Sequence, residues 1–197
     1  MLSFLLSIYG LRLLLSGFLI LGAFIIQIKY RRIDHYLLKK ILLFSLVGIL
    51  ILLLYEANHT YKVWYYSDIF RFFLPPYMDI SYFASKFLRA SVLPWVIAAV
   101  GGLVLSWIAH GLNQKFQERF FEREEITLFA LGAFLSGYPG ILFYLLAVII
   151  AELVLSIIYT VAGWGRAPMY YLWLPAALSV IIMMYIFSPS WVLLLTI

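Results

Sequence analysis

An all-α integral membrane protein, a bundle of about six short transmembrane helices, is the fold this sequence predicts, and three observations predict it. The 197 residues are 65% hydrophobic and only 12% charged. Their mean hydropathy is +1.03, well above that of a water-soluble domain of ordinary composition. The apolar residues are also gathered into runs of spanning length, punctuated by clusters of Lys, Arg, Glu, Pro and Gly. A soluble fold of this size has too little interior for so much apolar surface, whereas the hydrocarbon of a bilayer accepts it. A single membrane domain over residues 1–197 is expected.

In chain order, the first span runs from Phe4 to Ile28 and stops at Lys29-Tyr30-Arg31-Arg32. The second covers Leu37 to Tyr55, with Lys39 and Lys40 at its start. A wet outer loop is expected over residues 56–90, broken by Pro75-Pro76. Inside it, Ser67 to Phe73 mixes charge with aromatic rings, as a helix lying in the membrane interface does. The third span is Val92 to Leu112, followed by a polar stretch from Asn113 to Glu125. A short apolar run over residues 126–137 comes next, and Ser136-Gly137-Tyr138-Pro139-Gly140 reads as a tight turn. At this length the run hardly crosses about 30 Å of hydrocarbon. The fifth span, Ile141 to Ala162, ends at Gly163-Trp164-Gly165-Arg166, and the sixth, Met169 to Phe187, ends at Ser188-Pro189.

Composition excludes several function classes. With no Cys there is no disulfide, thiol chemistry or Cys-based zinc site, and His35, His59 and His110 are too scattered to form a metal site by spacing. No cofactor is expected. No cleavable signal peptide is evident, because the chain opens directly on an apolar stretch. The net charge of +5 reads as membrane topology rather than nucleic-acid binding, since most Lys and Arg flank apolar runs. With the Lys29–Lys40 loop in the cytoplasm, alternation places Lys29, Arg31, Arg32, Lys39, Lys40, Lys115, Arg119, Arg123 and Arg166 inside. Arg12, Lys62, Arg71, Lys86 and Arg89 fall outside, so nine cations against five satisfy the positive-inside bias, with both termini outside.

Three groups of residues could carry chemistry. Asp34 and the acidic group Glu118, Glu122, Glu124 and Glu125 could meet across the cytoplasmic mouth, or simply solvate a loop and balance Lys115, Arg119 and Arg123. Glu152 stands in the middle of an apolar run, so it should face the bundle interior with a partner or be protonated, and Arg12 is the expected partner. Asn58-His59-Thr60 has the form of a glycosylation site on the outer side. The rings from Tyr61 to Phe73 suit a headgroup belt or a docking surface for another membrane subunit.

The stretch from Glu124 to Leu135, with Leu131-Gly132-Ala133 in it, resembles a segment of the bacterial type IV prepilin peptidases. These are intramembrane aspartic peptidases that trim the leader of pilin-like precursors at the cytoplasmic face. In that family a Gly-x-Gly-Asp motif leads into a short helix ending in Leu-Gly-Ala-aromatic-Leu. The neighbours agree: Gly101-Gly102-Leu103 begins a helix that runs into a polar connection, Pro139-Gly140 opens the next span, and Ala167-Pro168-Met169-Tyr170 resembles the family's lead into its last helix. The segment Ile26 to Ile33 resembles the family's first catalytic segment. The likeness covers roughly residues 10–187, without the zinc-binding insert of larger members.

The departures fall at the chemistry. Glu124 stands where the second catalytic Asp is expected, and Phe121 and Arg123 replace the two motif glycines. Gln27 falls at the first Asp in the favoured register; other registers put Arg32 or Asp34 there. An aspartic dyad needs two carboxyls sharing a proton, and the favoured register supplies one carboxylate. The expected function is therefore a non-catalytic member of that fold, a scaffold or accessory subunit held in the bacterial cytoplasmic membrane with the lipid bilayer and other membrane protein subunits as its partners and no nucleic acid. The alternatives are an active leader peptidase using Asp34 with Glu124 or Glu125, and a small transporter or proton-linked subunit built around Glu152.

Overall fold

The structure, a computed structural model, describes residues 8–30, 35–116, 121–164 and 169–187. Every regular element in them is helical: α1 (Ile8–Tyr30), α2 (His35–Tyr66), a 3₁₀ turn (Phe70–Phe73), α3 (Ile80–Phe87), a π turn (Leu88–Val92), α4 (Leu93–Lys115), α5 (Arg123–Ser136), α6 (Gly140–Ala162), a second 3₁₀ turn (Met169–Tyr171) and α7 (Trp173–Phe187). Five stretches are long and apolar enough to cross a membrane by length and composition: Gly10–Tyr30, Tyr36–Tyr66, Ile80–Lys115, Gly140–Ala162 and Met169–Ile186. This is the pattern of a multi-pass membrane protein. The short run expected over residues 126–137, fourth in chain order, is α5, which has 14 residues, about 21 Å of helix.

The outer loop expected over residues 56–90 is much shorter than that. Helix α2 continues for 32 residues to Tyr66, and α3 already starts at Ile80. Asp79 caps α3: its carboxylate accepts a hydrogen bond from the Ser81 amide at 2.8 Å. That bond holds the Asp79 carboxyl below the usual carboxylate range. Helix α3 then runs into α4 through the π turn, where the Leu93 amide reaches back to the Leu88 carbonyl. Pro94, in the first turn of α4, has no N–H to give, so a widened turn just before it lets the helix pass without a sharp break. The aromatic stretch packs partly on itself. Trp64 stacks on Phe70 with centroids 5.6 Å apart and meets Phe83 edge-on at 5.3 Å, while Tyr65, Tyr66 and Tyr77 stay exposed. Asn58 lies within α2 rather than in a loop.

Helix α5 is the centre of the bundle. Leu128, Leu131, Ala133 and Leu135 are at most 1% exposed, and α5 touches α1, α2, α4, α6 and α7. Helix α5 is thus enclosed by other helices, the condition under which a short helix is tolerated inside a membrane bundle. Its packing on α4 and α6 uses small residues. A Cβ at Gly102 would already stand 3.5 Å from Ala133 Cβ, so α4 and α5 approach nearly backbone to backbone. At the α5–α6 turn, Gly137 has φ +63° and ψ 178°, a conformation essentially confined to glycine.

Gly132 is the tightest of these positions. A Cβ there would lie 2.6 Å from the Tyr144 hydroxyl oxygen and 2.8 Å from Cζ. Tyr144 is fully buried, with its ring stacked against Phe129 at 5.9 Å, so it has little room to withdraw. Gly132→Ala is expected to destabilise the bundle by about 1–3 kcal/mol, measured by denaturant unfolding in detergent. Much of that loss should vanish in the background of Tyr144→Leu, which removes the hydroxyl, Cζ and Cε2 together. Equal losses with and without Tyr144→Leu would place the strain elsewhere.

Candidate functional site

The bundle has two ends. One carries Lys29, Lys39, Lys40 and Lys115 and is called the basic end; the other carries the α5–α6 turn and the start of α3. The expected catalytic positions fall at the basic end. Asp34, Glu118, Arg119 and Arg32 lie outside the described residues.

Gln27, near the basic end of α1, is completely buried. Its side-chain amide donates to the Tyr170 carbonyl at 2.6 Å, in the 3₁₀ turn that opens α7. The bond ties α1 to α7 through a donor, which an ionised carboxylate in the same place could not supply. The Gln27 Oε1 atom is buried without a partner among the described residues.

The start of α5 is fixed by reciprocal bonds. Glu122 accepts from the Glu125 amide, and Glu125 Oε2 accepts from the Glu122 amide at 2.9 Å. This capping box satisfies two of the orphan amides at a helix N-terminus. Just before it, Asn113 at the end of α4 grips Phe121 with both ends of its side chain. Its Nδ2 donates to the Phe121 carbonyl at 2.6 Å and its Oδ1 accepts from the Phe121 amide at 3.0 Å. The Phe121 ring in turn packs on Trp173, with centroids 6.1 Å apart. Where the resemblance puts a flexible glycine, this chain has a residue held by two hydrogen bonds and a ring contact. Glu124 is half-buried in the first turn of α5, where a negative charge is favoured by the helix dipole.

Beside this region lies a groove of about 200 Å³ between α4, α5 and α6, with both Glu125 and Glu152 on its wall. The two carboxylates share a depth. Glu125 is about 16 Å along α5 from its far end, and Glu152 is about 18 Å along α6 from its start at the same end of the bundle. Glu125 is buried and Glu152 exposed. The buried Trp173 Nε1, on the same wall, has no partner among the described residues.

Glu152 departs from expectation. It faces outward rather than into the bundle and makes no hydrogen bond or ion pair with Arg12. At the centre of a membrane helix a carboxylate costs about 2.5–3.5 kcal/mol on insertion scales.

Arg12 pairs with Glu56 instead. Its Nε donates to Glu56 Oε2 at 2.9 Å, and its Nη2 bonds Glu56 Oε1. The Ser91 hydroxyl donates to that same Oε1 at 2.6 Å. Glu56 is 4% exposed, so a two-pronged buried ion pair joins α1, α2 and the π turn at the end opposite Gln27. The sequence signal that could have found this pair is the Glu56-Ala57 continuation of the apolar run of α2, which places the carboxylate on a helix rather than in a loop. The π turn matters here because the residue it inserts sets where Ser91 points.

Among the described residues, no group of three His, Cys, Asp or Glu side chains is placed to hold a metal ion. No protein-family model matches this chain, and comparisons with curated proteins and with solved structures likewise find no match.

Proposed function

We propose that the chain is a non-catalytic, prepilin-peptidase-like membrane protein that acts as a scaffold or accessory subunit of a membrane assembly. One observation carries the reading: Gln27, at the position of the resemblance's first catalytic acid, is buried and used as a hydrogen-bond donor to the Tyr170 carbonyl. A group engaged in this way is neither ionisable nor open to a substrate. Two further features support it. Glu125 is committed to the capping box, and the Phe121 backbone is pinned by Asn113. Leader hydrolysis needs one carboxyl to take a proton from water and another to polarise the peptide carbonyl. With a pilin-like precursor in mixed micelles, no cleavage is expected. Cleavage that disappears in Asp34→Asn would overturn the reading.

A second reading, an active leader peptidase using Asp34 with Glu124 or Glu125, draws support from the groove whose wall carries Glu125. The same assay separates the two. The outward position of Glu152 gives no support to a transport path centred on it.

The proposed location is the bacterial cytoplasmic membrane with the basic end inside, following the nine-to-five distribution of Lys and Arg. The absence of Cys makes this simple to test. Tyr66→Cys, at an exposed position, should react with an impermeant reagent added outside intact cells. Lys115→Cys should react only after the membrane is opened, and the reverse result would invert the topology.

A further inference from the structure

Helix α6 contains a single charged residue, Glu152, in 23. That residue is exposed on the flank of the bundle with no hydrogen bond or ion pair to a described residue. A carboxylate in this place is costly in a bilayer, and a cation brought alongside it removes much of that cost. The groove beside it has a shape that suits a helix. Its walls follow α4 from Leu105 to Leu112 and α6 from Leu145 to Glu152, about two helical turns on each side. Ala109 lies on the wall and allows close approach of a backbone, as small residues do at membrane helix contacts. The first turns of α5, with Glu125, Ile126 and Phe129, complete the wall between α4 and α6.

Charge selects the occupant. The groove wall bears two carboxylates and no Lys, Arg or His. An acyl chain would fill the apolar space but leave Glu152 unpaired. We propose that this groove seats a transmembrane helix of a partner protein, and that the helix carries a Lys or Arg which pairs with Glu152. This rests on the accessory-subunit reading and names the kind of partner involved.

The test uses the full chain reconstituted in phosphatidylcholine vesicles. Val161→Cys carries a fluorescent acceptor; this position is 83% exposed and off the groove wall. Donor-labelled Leu/Ala transmembrane peptides differ only at the centre, which is Lys, Leu or Glu. The Lys peptide should associate about tenfold more tightly than the Leu peptide, a difference worth about 1.4 kcal/mol. Glu152→Gln should abolish that preference while leaving the helical circular dichroism unchanged. Ala109→Trp, which fills the groove and keeps the carboxylate, should weaken association as well. Equal binding of Lys and Leu peptides overturns the proposal. So does a Lys preference that survives Glu152→Gln, undiminished binding to Ala109→Trp, or a Glu peptide that binds as well as the Lys peptide. Leader cleavage is measured separately. A failed peptide test with no cleavage removes the groove assignment alone, whereas cleavage lost in Asp34→Asn removes the subunit reading itself.

Discussion

Glu56→Ala should be among the most damaging single substitutions in this chain, costing about 3–5 kcal/mol of stability. The Arg12 guanidinium makes both of its charge-assisted bonds to Glu56, and its side chain is only 14% exposed. Removing the carboxylate leaves a cation in a nearly closed site and takes away the acceptor of the Ser91 hydroxyl. The loss comes from the stranded charge more than from the attraction itself. The double substitution Arg12→Leu with Glu56→Leu should therefore recover most of it, since apolar replacement of a buried ion pair is often close to neutral. Arg12→Leu alone should cost nearly as much as Glu56→Ala, because it leaves the buried carboxylate with Ser91 only. Unfolding by added SDS would measure all three. A cost below about 1 kcal/mol for either single change would show that water reaches the pair and that the site is not closed.

Gln27→Glu is the second large effect, and its direction is informative. The change is nearly isosteric, yet it replaces the N–H donor facing the Tyr170 carbonyl at 2.6 Å with an oxygen. Ionised, the new carboxylate would point at a carbonyl oxygen in a fully enclosed position. A destabilisation of about 3 kcal/mol or more is expected, against about 1–3 kcal/mol for Gln27→Met, which removes this bond without adding a charge. No leader-cleaving activity should appear in Gln27→Glu, although it places an acid where the resemblance has one. A Gln27→Glu protein as stable as its parent would mean that the amide is not working as a donor and that the clamp between α1 and α7 is misassigned.

The two pairings were unequally visible in the sequence, for physical reasons. The long apolar runs pointed to helices where α1, α4, α6 and α7 lie, because a bilayer imposes length and composition on whatever crosses it. The turn at Ser136–Gly140 was equally plain from its Gly and Pro. Glu56 was not. Glu56, Asn58, His59, Thr60 and Lys62 together look like a loop, and nothing local says that the first of them turns inward to meet an arginine far away in the chain. For the same reason Glu152 was paired with the wrong neighbour: two charges of opposite sign in apolar surroundings suggest each other, but only the helix rotation decides which faces inward. Gln27 was singled out through the resemblance, and its burial and its bond to Tyr170 depend on a tertiary contact no pattern encodes.

The shortness of α5 has a consequence for the parity of the chain. A count by length and composition stops at five crossings, an odd number, which would send the two ends of the bundle to opposite faces. Yet α5 carries the chain from one end of the bundle to the other. Its start is held through Phe121 to Asn113 at the end of α4, and the turn after it, at Gly137, lies against Trp95 near the start of α4. Arg12 in α1 and Met184 in α7 border one small cavity together with that same turn. With α5 counted, six helical passes run along the bundle. A helix too short to be recognised by its hydropathy therefore brings Ile8 at the start of α1 and Phe187 at the end of α7 to the same end of the bundle.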